Sequence, residues 1–467
     1  MIEHILWGKR EVGEFPSPFL RGERQRPLRI TFHGSSLVVC LSPQDMEALG
    51  ALRELSHVPE IEALQMEAGP FPRIAIEAAS NELDHIPVTV EYGDGRTRYA
   101  GIPFPQQWSD IAARMAHAPN ADHPSAKAML NDLLVAQAHR ALDQDLLVTA
   151  SPWLLEYRAQ SFVREANPRT PTEAAQVVGL FLRSRGDYTY WAGEWGGRRS
   201  LDRGLFYWVL VRHRLPSMWR YFSACVHAEK PRGDDILHLG QSILSRCVRA
   251  IQARDAIGEL FYIPQGNNSR DSMMYHFDYL TLVLAGAFDA QARVAYRAYK
   301  IIKPRDEKYV SFRRAEFLAS LSSHGAKDLY NLVSEQRFQD VTTLLYELRN
   351  TIHGAGFPTV GCQSAGHPEA SFVAVLPAYE VTLWKAAERC GSPERWGLVR
   401  HNTVLFEPYT CVVTLIEECL NLVDSVANVT DVEGLFPAGY PIPRLSDKPP
   451  EDDVFCECVR KRLAVLG

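Results

Sequence analysis

The sequence predicts an α+β multidomain protein, with an amino-terminal α/β region followed by a larger, mainly α-helical region. Three observations carry this reading. The chain has 467 residues, more than one ordinary hydrophobic core spans, so two or three domains are expected. As far as Ala100, short apolar runs alternate with turns, as strands do. From Leu201 to Val426 nearly every segment instead shows the three-four spacing of a helical face. The domains are expected at 1–124 (α/β), 125–195 (an α/β or helical connecting unit), 196–435 (the helical domain) and 436–467 (a proline-rich segment and a tail helix).

The elements follow in order. Leu28–Phe32 alternates apolar and polar residues, and Ser36–Leu41 is an apolar run, so both are expected strands. Ser42 caps the next helix, Pro43 takes its first turn and Asp45 suits its dipole. Ile74–Glu77 and Val88–Tyr92 are further strands, and Gly93–Arg96 is the turn of a hairpin. In the connecting unit, Leu130, Leu133, Leu134, Ala138 and Leu142 make a helical face. Asp145–Thr149 is a buried strand, and Thr170–Glu173 is a capping box with proline at the first helical position. Farther on, a long helix is expected from Ser272 to about Ile301, with Phe277, Leu280, Leu284, Phe288, Ala292 and Ala295 on one stripe. Ala285-Gly286-Ala287 within it allows a close helix crossing. Phe372–Leu376 reads as a strand or an apolar turn, and Tyr409–Asn428 as another helix.

Charge and cysteine usage narrow the partners. The net charge is −6, so nucleic acid would have to be held by local basic patches. Hydrophobic residues at 46% and charged residues at 23% describe an ordinary globular protein. No signal-peptide pattern opens the sequence and no apolar run reaches the ~18 to 20 residues of a membrane helix, so a cytoplasmic protein away from membranes is expected. The nine cysteines are scattered, and only Cys456 and Cys458 are close, which is a poor zinc site. No cofactor and no metal are expected. One basic and aromatic stretch, Arg183 to Arg220, includes Arg198, Arg199 and Arg203 among Tyr188, Trp191 and Trp195. Guanidinium groups hold phosphates and aromatic faces stack unpaired bases, so it is a candidate RNA contact. Leu205–Val211 within it reads better as core helix. Arg313 and Arg314 belong to a second basic patch.

The chemistry-bearing stretch is Leu348-Arg349-Asn350-Thr351-Ile352-His353-Gly354. It ends a helix whose apolar face is Phe338, Val341, Leu344, Leu345 and Leu348. Arg349 and His353 lie four apart and project from one face, with Asn350 beside them. Gly354, Gly356 and Pro358 then stop the helix. A permanent cation next to a group that titrates near neutral pH, at the negative end of a helix dipole, suits phosphodiester chemistry.

This stretch resembles the arginine-polar-x-x-histidine signature of HEPN domains, helical bundles often found as metal-independent ribonucleases of prokaryotic defence and toxin systems. Three residues separate arginine and histidine here, where that family usually has four to six. The resemblance implies a HEPN-like bundle around residues 268–360 and endoribonuclease activity leaving a 2′,3′-cyclic phosphate. It further implies RNA as substrate, a homodimer or higher homo-oligomer that builds the site, and possible control by a partner or trigger protein. Arg349, Asn350 and His353 would be catalytic. In such domains the first helix of the pair often supplies an acidic residue to the arginine. Asp278 and Asp289 are the candidates, and Asp289 could instead pair with Arg293 four residues on. A catalytically silent helical module binding RNA or protein is the alternative. A third reading is a PIN-like metal nuclease, because helix, strand ending in Thr149 and helix resemble that family. It would draw on Asp132, Asp143 and Asp145.

Overall fold

A computed structural model describes residues 26–38, 41–67, 69–77, 84–103, 105–116, 125–158, 163, 165–262, 267–302, 307–354, 356–357, 361–364, 367–400, 402–446 and 457–467. The chain divides into two units, Met1–Arg203 with Val465–Gly467, and Gly204–Ala464.

The first unit is a seven-stranded sheet with helices. Its elements are β1 (Leu28–Phe32), α1 (Gly34–Leu37), α2 (Pro43–Leu55), β2 (Ile61–Gln65), β3 (Arg73–Ile76), β4 (His85–Glu91) and β5 (Thr97–Pro103). Then come α3 (Pro105–Ala116), α4 (Ala126–Ala141), β6 (Leu146–Val148), α5 (Pro152–Glu156), β7 (Pro168–Arg169) and α6 (Pro171–Ser184). The strand order is β5-β4-β3-β2-β1-β6-β7. β1 is parallel to both β2 and β6, whereas β4 pairs antiparallel with β3 on one side and β5 on the other. Residues 125–195, expected as a separate connecting unit, therefore belong to the first: Leu146, Leu147 and Val148 are wholly buried beside Ile30–Phe32. A three-residue apolar strand cannot hide both faces except inside a larger sheet. Of the run Ser36–Leu41, Ser36 and Leu37 are helical rather than strand, and Val39 and Cys40 lie outside the described residues. The chain turns at His33, and Gly34–Leu37 forms one helical turn.

Local capping behaves as the sequence predicts. Ser42 accepts from Asp45 N, and Thr170 and Glu173 form the reciprocal capping box. A two-stranded hairpin, β8 (Thr189–Ala192) with β9 (Arg198–Ser200), closes the unit. The last residues return to it, where Arg183 donates to the Leu466 carbonyl at 2.6 Å.

The second unit is mainly helical: α7 (Arg203–Arg214), α8 (Met218–Arg232), α9 (Ile236–Phe261), α10 (Asn267–Ala298), α11 (Ala315–Ser323), α12 (Lys327–Ser334) and α13 (Gln336–Gly354). β10 (Gly361–Ser364), β11 (His367–Ala374), α14 (Pro377–Arg389), β12 (Leu398–Arg400), β13 (Val404–Phe406), α15 (Pro408–Val429) and α16 (Glu457–Leu466) follow. β10, β11, β13 and β12 form a small antiparallel sheet, so Phe372–Ala374 is strand rather than turn. The stripes expected on α10 and α13 are buried in full. The two helices run antiparallel: the Phe288 and Phe338 rings lie 6.0 Å apart, and those of Phe277 and Phe357 5.5 Å apart, at opposite ends. α15 packs on the same core, with Gln291 donating to the Val423 carbonyl at 2.8 Å. No described helix is long and apolar enough to cross a membrane.

Candidate functional site

The last two turns of α13 lie against the middle of α10. Apolar residues at 341, 344, 345 and 348 anchor the helix. That geometry leaves Tyr346, Arg349 and Asn350 on its flank. The Tyr346 hydroxyl donates to Asp289 Oδ1 at 2.7 Å, and Arg349 Nη1 approaches Asn350 Oδ1 at 3.5 Å. Asp289, on α10, is the acid that Arg349 meets electrostatically. Asp278 shares that face of α10 but stands eleven residues earlier, about 16 Å along the axis. The structure thus places Asp289, rather than Asp278, in the arginine's field. His353 sits in the final turn of α13; its side chain lies outside the described residues.

Two further arginines join the group. Arg293, one turn beyond Asp289, and Arg246, from α9, both act on the Asp289 carboxylate. Among the described residues none of Arg246, Arg293 and Arg349 belongs to an ion pair, and the buried Nε atoms of Arg293 and Arg349 have no hydrogen-bond partner. The surface ion pair between Asp289 and Arg293 that the spacing allows does not form; Tyr346 takes the carboxylate instead. Burial dominates the Asp289 carboxyl and holds it above the ordinary carboxylate range, although all three arginines pull it down. The local balance is three cations to one weakened acid. Arg246 Nε donates to the Ser242 hydroxyl at 3.0 Å, but partly buried cations without ion-pair partners are costly, and an anion is what would relieve them.

Gly286 belongs to this arrangement. A Cβ there would fall on the Arg246 guanidinium. The glycine therefore admits an arginine side chain between α9 and α10, and the close crossing expected from Ala285-Gly286-Ala287 gains a polar occupant. No spacing in the sequence links Arg246 to Asp289; only the small residues at 285–287 hint that something comes close.

Asp278 is chemically distinct. Its Oδ1 is buried with no partner, and burial pushes the carboxyl up to about 6. It can therefore exchange a proton near neutral pH. Burial also lowers the His276 imidazole.

The residues expected to contact RNA divide. Arg198 is tied to Asp187, to Glu60 at 3.6 Å and to the Thr189 hydroxyl at 2.9 Å, so it braces the β8–β9 hairpin. Arg199 and Arg203 are exposed, and Trp195 at the hairpin tip is 97% exposed. Farther along that stretch Phe206, Tyr207 and Trp219 are buried core residues, and Arg212 is sandwiched between Trp208 and Trp219. Arg313 pairs with Glu347 at 3.3 Å and covers the Tyr346 ring, which places it beside the α13 site. Arg314 is exposed and stacks over Tyr309.

The acids of the PIN-like reading do not gather. Asp143 and Asp145 lie at the start of β6, held by Arg29 and Arg26, while Asp132 lies near the far end of that strand. Among the described residues no group of three histidine, cysteine or acidic side chains could hold a metal ion. Comparison of the chain with protein-family models, with curated proteins and with solved structures finds no match.

Proposed function

We propose that the helical unit is a metal-independent endoribonuclease of the HEPN type, acting where the last turns of α13 meet α10. The observation that carries the reading is the set of three arginines without ion-pair partners around Asp289. It supplies a place for a phosphodiester in a chain whose net charge is −6. Arg349 with Arg246 and Arg293 would hold the phosphoryl oxygens and neutralise charge as it develops there. His353, at the helix end, would take the proton of the ribose 2′-hydroxyl or return one to the departing 5′-oxygen, and Asn350 would orient Arg349. The 2′-oxygen attacks phosphorus, the bond to the 5′-oxygen breaks, and a 2′,3′-cyclic phosphate remains. The nucleophile belongs to the substrate and is already held beside the phosphorus, so the reading requires no metal. One histidine cannot serve as acid and base together, so the second group would come from a two-fold mate in a homodimer. A role in prokaryotic defence or as a toxin rests on the resemblance alone.

The test is incubation of pure protein with RNA in chelator, beside His353→Ala and a DNA strand of equal sequence. Cleavage by the native chain alone, with cyclic phosphate ends and intact DNA, is the expected result. Activity that disappears in chelator and returns with magnesium, or cut DNA, would overturn it. RNA retained without cleavage would point to a catalytically silent binding module.

A further inference from the structure

Two polar clusters stand apart in this chain, one closed on itself and one open. At the turns after β1 and β6, His33 Nδ1 lies 3.0 Å from Thr149 Oγ1, and its Nε2 faces Asp132 Oδ1 at 3.6 Å. Ser36 bonds Thr149 as well, and Ser151 bonds Asp132. Burial lowers the His33 imidazole against the pull of Asp132 and Glu67. These groups satisfy one another. The arginine cluster is open instead, and its stripe on α10 continues beyond it.

Tyr275, Tyr279, Leu282, Gly286, Asp289 and Arg293 follow one another along α10 at alternating spacings of four and three, which keeps them on one side of the helix. The second half of that stripe is occupied. Arg246 lies against Gly286, and Tyr346 takes the Asp289 carboxylate. The first half faces outward, with Tyr275 69%, Tyr279 37% and Leu282 36% exposed. Met273, Phe277 and Leu280, on the opposite side, are buried in the core. They hold this part of α10 in place, so the fold does not depend on the outward tyrosines.

Area and charge choose the occupant of this face. With ~200 Å² for a large side chain, the three exposed fractions amount to roughly 300 Å². A stable protein pair covers ~800 Å² on each partner, so a second copy of the chain needs more surface than this stripe has. Flat rings one helical turn apart, about 6 Å along the axis, instead suit a platform for nucleic-acid bases. Asp271 and Asp278 flank the tyrosines, and Asp278 is ionised above about 6. Carboxylates turn phosphate away and leave room for uncharged bases. The phosphates have their place farther along, at Arg246, Arg293 and Arg349. From Tyr279 to Asp289 the helix rises about 15 Å, or about four nucleotides of stacked strand at ~3.4 Å each.

We propose that this face of α10 stacks unpaired bases of a single RNA strand whose phosphates lie at the arginine cluster, with Tyr275 and Tyr279 as the platform. The proposal rests on that cluster holding RNA, as the ribonuclease reading has it, and not on cleavage. The experiment is fluorescence anisotropy of a labelled RNA of about eight nucleotides, long enough to run from the arginines past Tyr275. It is used as single strand and as duplex, with the full His353→Ala chain so that nothing is cut. The single strand should bind, and the duplex, whose bases are already paired, roughly tenfold more weakly or worse. Tyr275→Ala and Tyr279→Ala should each weaken the single strand by roughly 5- to 100-fold, the scale of one lost base–aromatic stack. Tyr275→Phe and Tyr279→Phe should keep it, and the salt slope should stay as it is in all four, because no cation is removed. Three results would each overturn the proposal: no binding of the single strand at roughly 100 μM, the weak end of non-specific affinity, equal binding of strand and duplex, or full affinity in both alanine variants. A dimer in light scattering that either alanine change splits would give the face to a second copy instead. Cleavage by the native chain together with full affinity in both variants sinks this proposal and spares the nuclease reading. Tyrosine-dependent binding by a chain that never cuts RNA does the reverse.

Discussion

The two polar clusters of this chain are opposites. In the helical unit three arginines surround one acid that burial has weakened. In the sheet unit two acids surround one histidine that burial keeps neutral. Both are built where elements distant in sequence converge, and in both desolvation outweighs the neighbouring charges in setting the titrating group. The sign of the charge that gathers at each differs: positive at Arg246, Arg293 and Arg349, negative at Glu67 and Asp132. A net charge of −6 hides this division, because the whole-chain figure averages two local fields of opposite sign.

The strongest way to break the comparison is at the α13 site. His353→Ala should lower RNA cleavage by roughly 10²–10⁴-fold, the usual scale for a general acid or base. Arg349→Lys should also be impaired, since a point charge replaces a planar fork. Wild-type rates in both variants, measured on a labelled RNA, would remove catalysis from that helix end.

Stability sharpens the contrast next. His139 on α4 is fully buried, both ring nitrogens lack partners, and burial takes its pKa down to about 3. Its ordinary value is 6.5. The unfolded chain therefore binds a proton that the folded chain refuses. Stability is intact above 6.5 and is lost progressively as pH falls from there towards 3. His139→Leu should raise stability by roughly 1–3 kcal/mol through removal of unsatisfied buried polar atoms, and should flatten that acid slope. Denaturant melts at pH 7 and pH 4.5 decide it; parallel slopes in both proteins would refute the assignment.

Smaller effects test the arginine cluster. Arg246→Ala and Arg293→Ala should each lower RNA affinity by about tenfold or less and reduce the salt slope by about one. Gly286→Ala should mimic Arg246→Ala, because the methyl group displaces the guanidinium. An unchanged salt dependence in all three would separate the cluster from RNA.

The least effect is expected at Asp278. Its folded pKa of about 6 is above the ordinary 3.8, so the ionised carboxylate is a burden to the fold above 6. That burden fades as pH falls towards 3.8. Asp278→Asn should raise the melting temperature slightly at pH 8 and not at pH 4. The carboxyl is half-exposed, so solvent screening keeps the gain under about 1 kcal/mol. A gain that is the same at both pH values would mean that ionisation of Asp278 is not its source.

By itself the sequence determined the elements whose signals are local. The periodic stripe from Phe277 to Ala295, the Ser42 and Thr170 caps, the Gly93–Arg96 hairpin and the face from Phe338 to Leu348 were all readable, because helix, cap and turn preferences act within a few residues. The placement of Arg349, Asn350 and His353 on the last turns of one helix was readable for the same reason, since four residues make one turn. Tertiary structure decided what spacing cannot encode. It made β6 a neighbour of β1 across more than a hundred residues of chain, turned Ser36 and Leu37 into a helical turn rather than a strand, and brought Asp289 rather than Asp278 to Arg349. It also set Arg246 against Gly286 and joined His33 to Thr149 and Asp132. Each of these depends on which surfaces bury together, and burial is a property of the assembled chain: the same desolvation that keeps His33 neutral and raises Asp289 exists only once the sheet and the helix pair have closed around them.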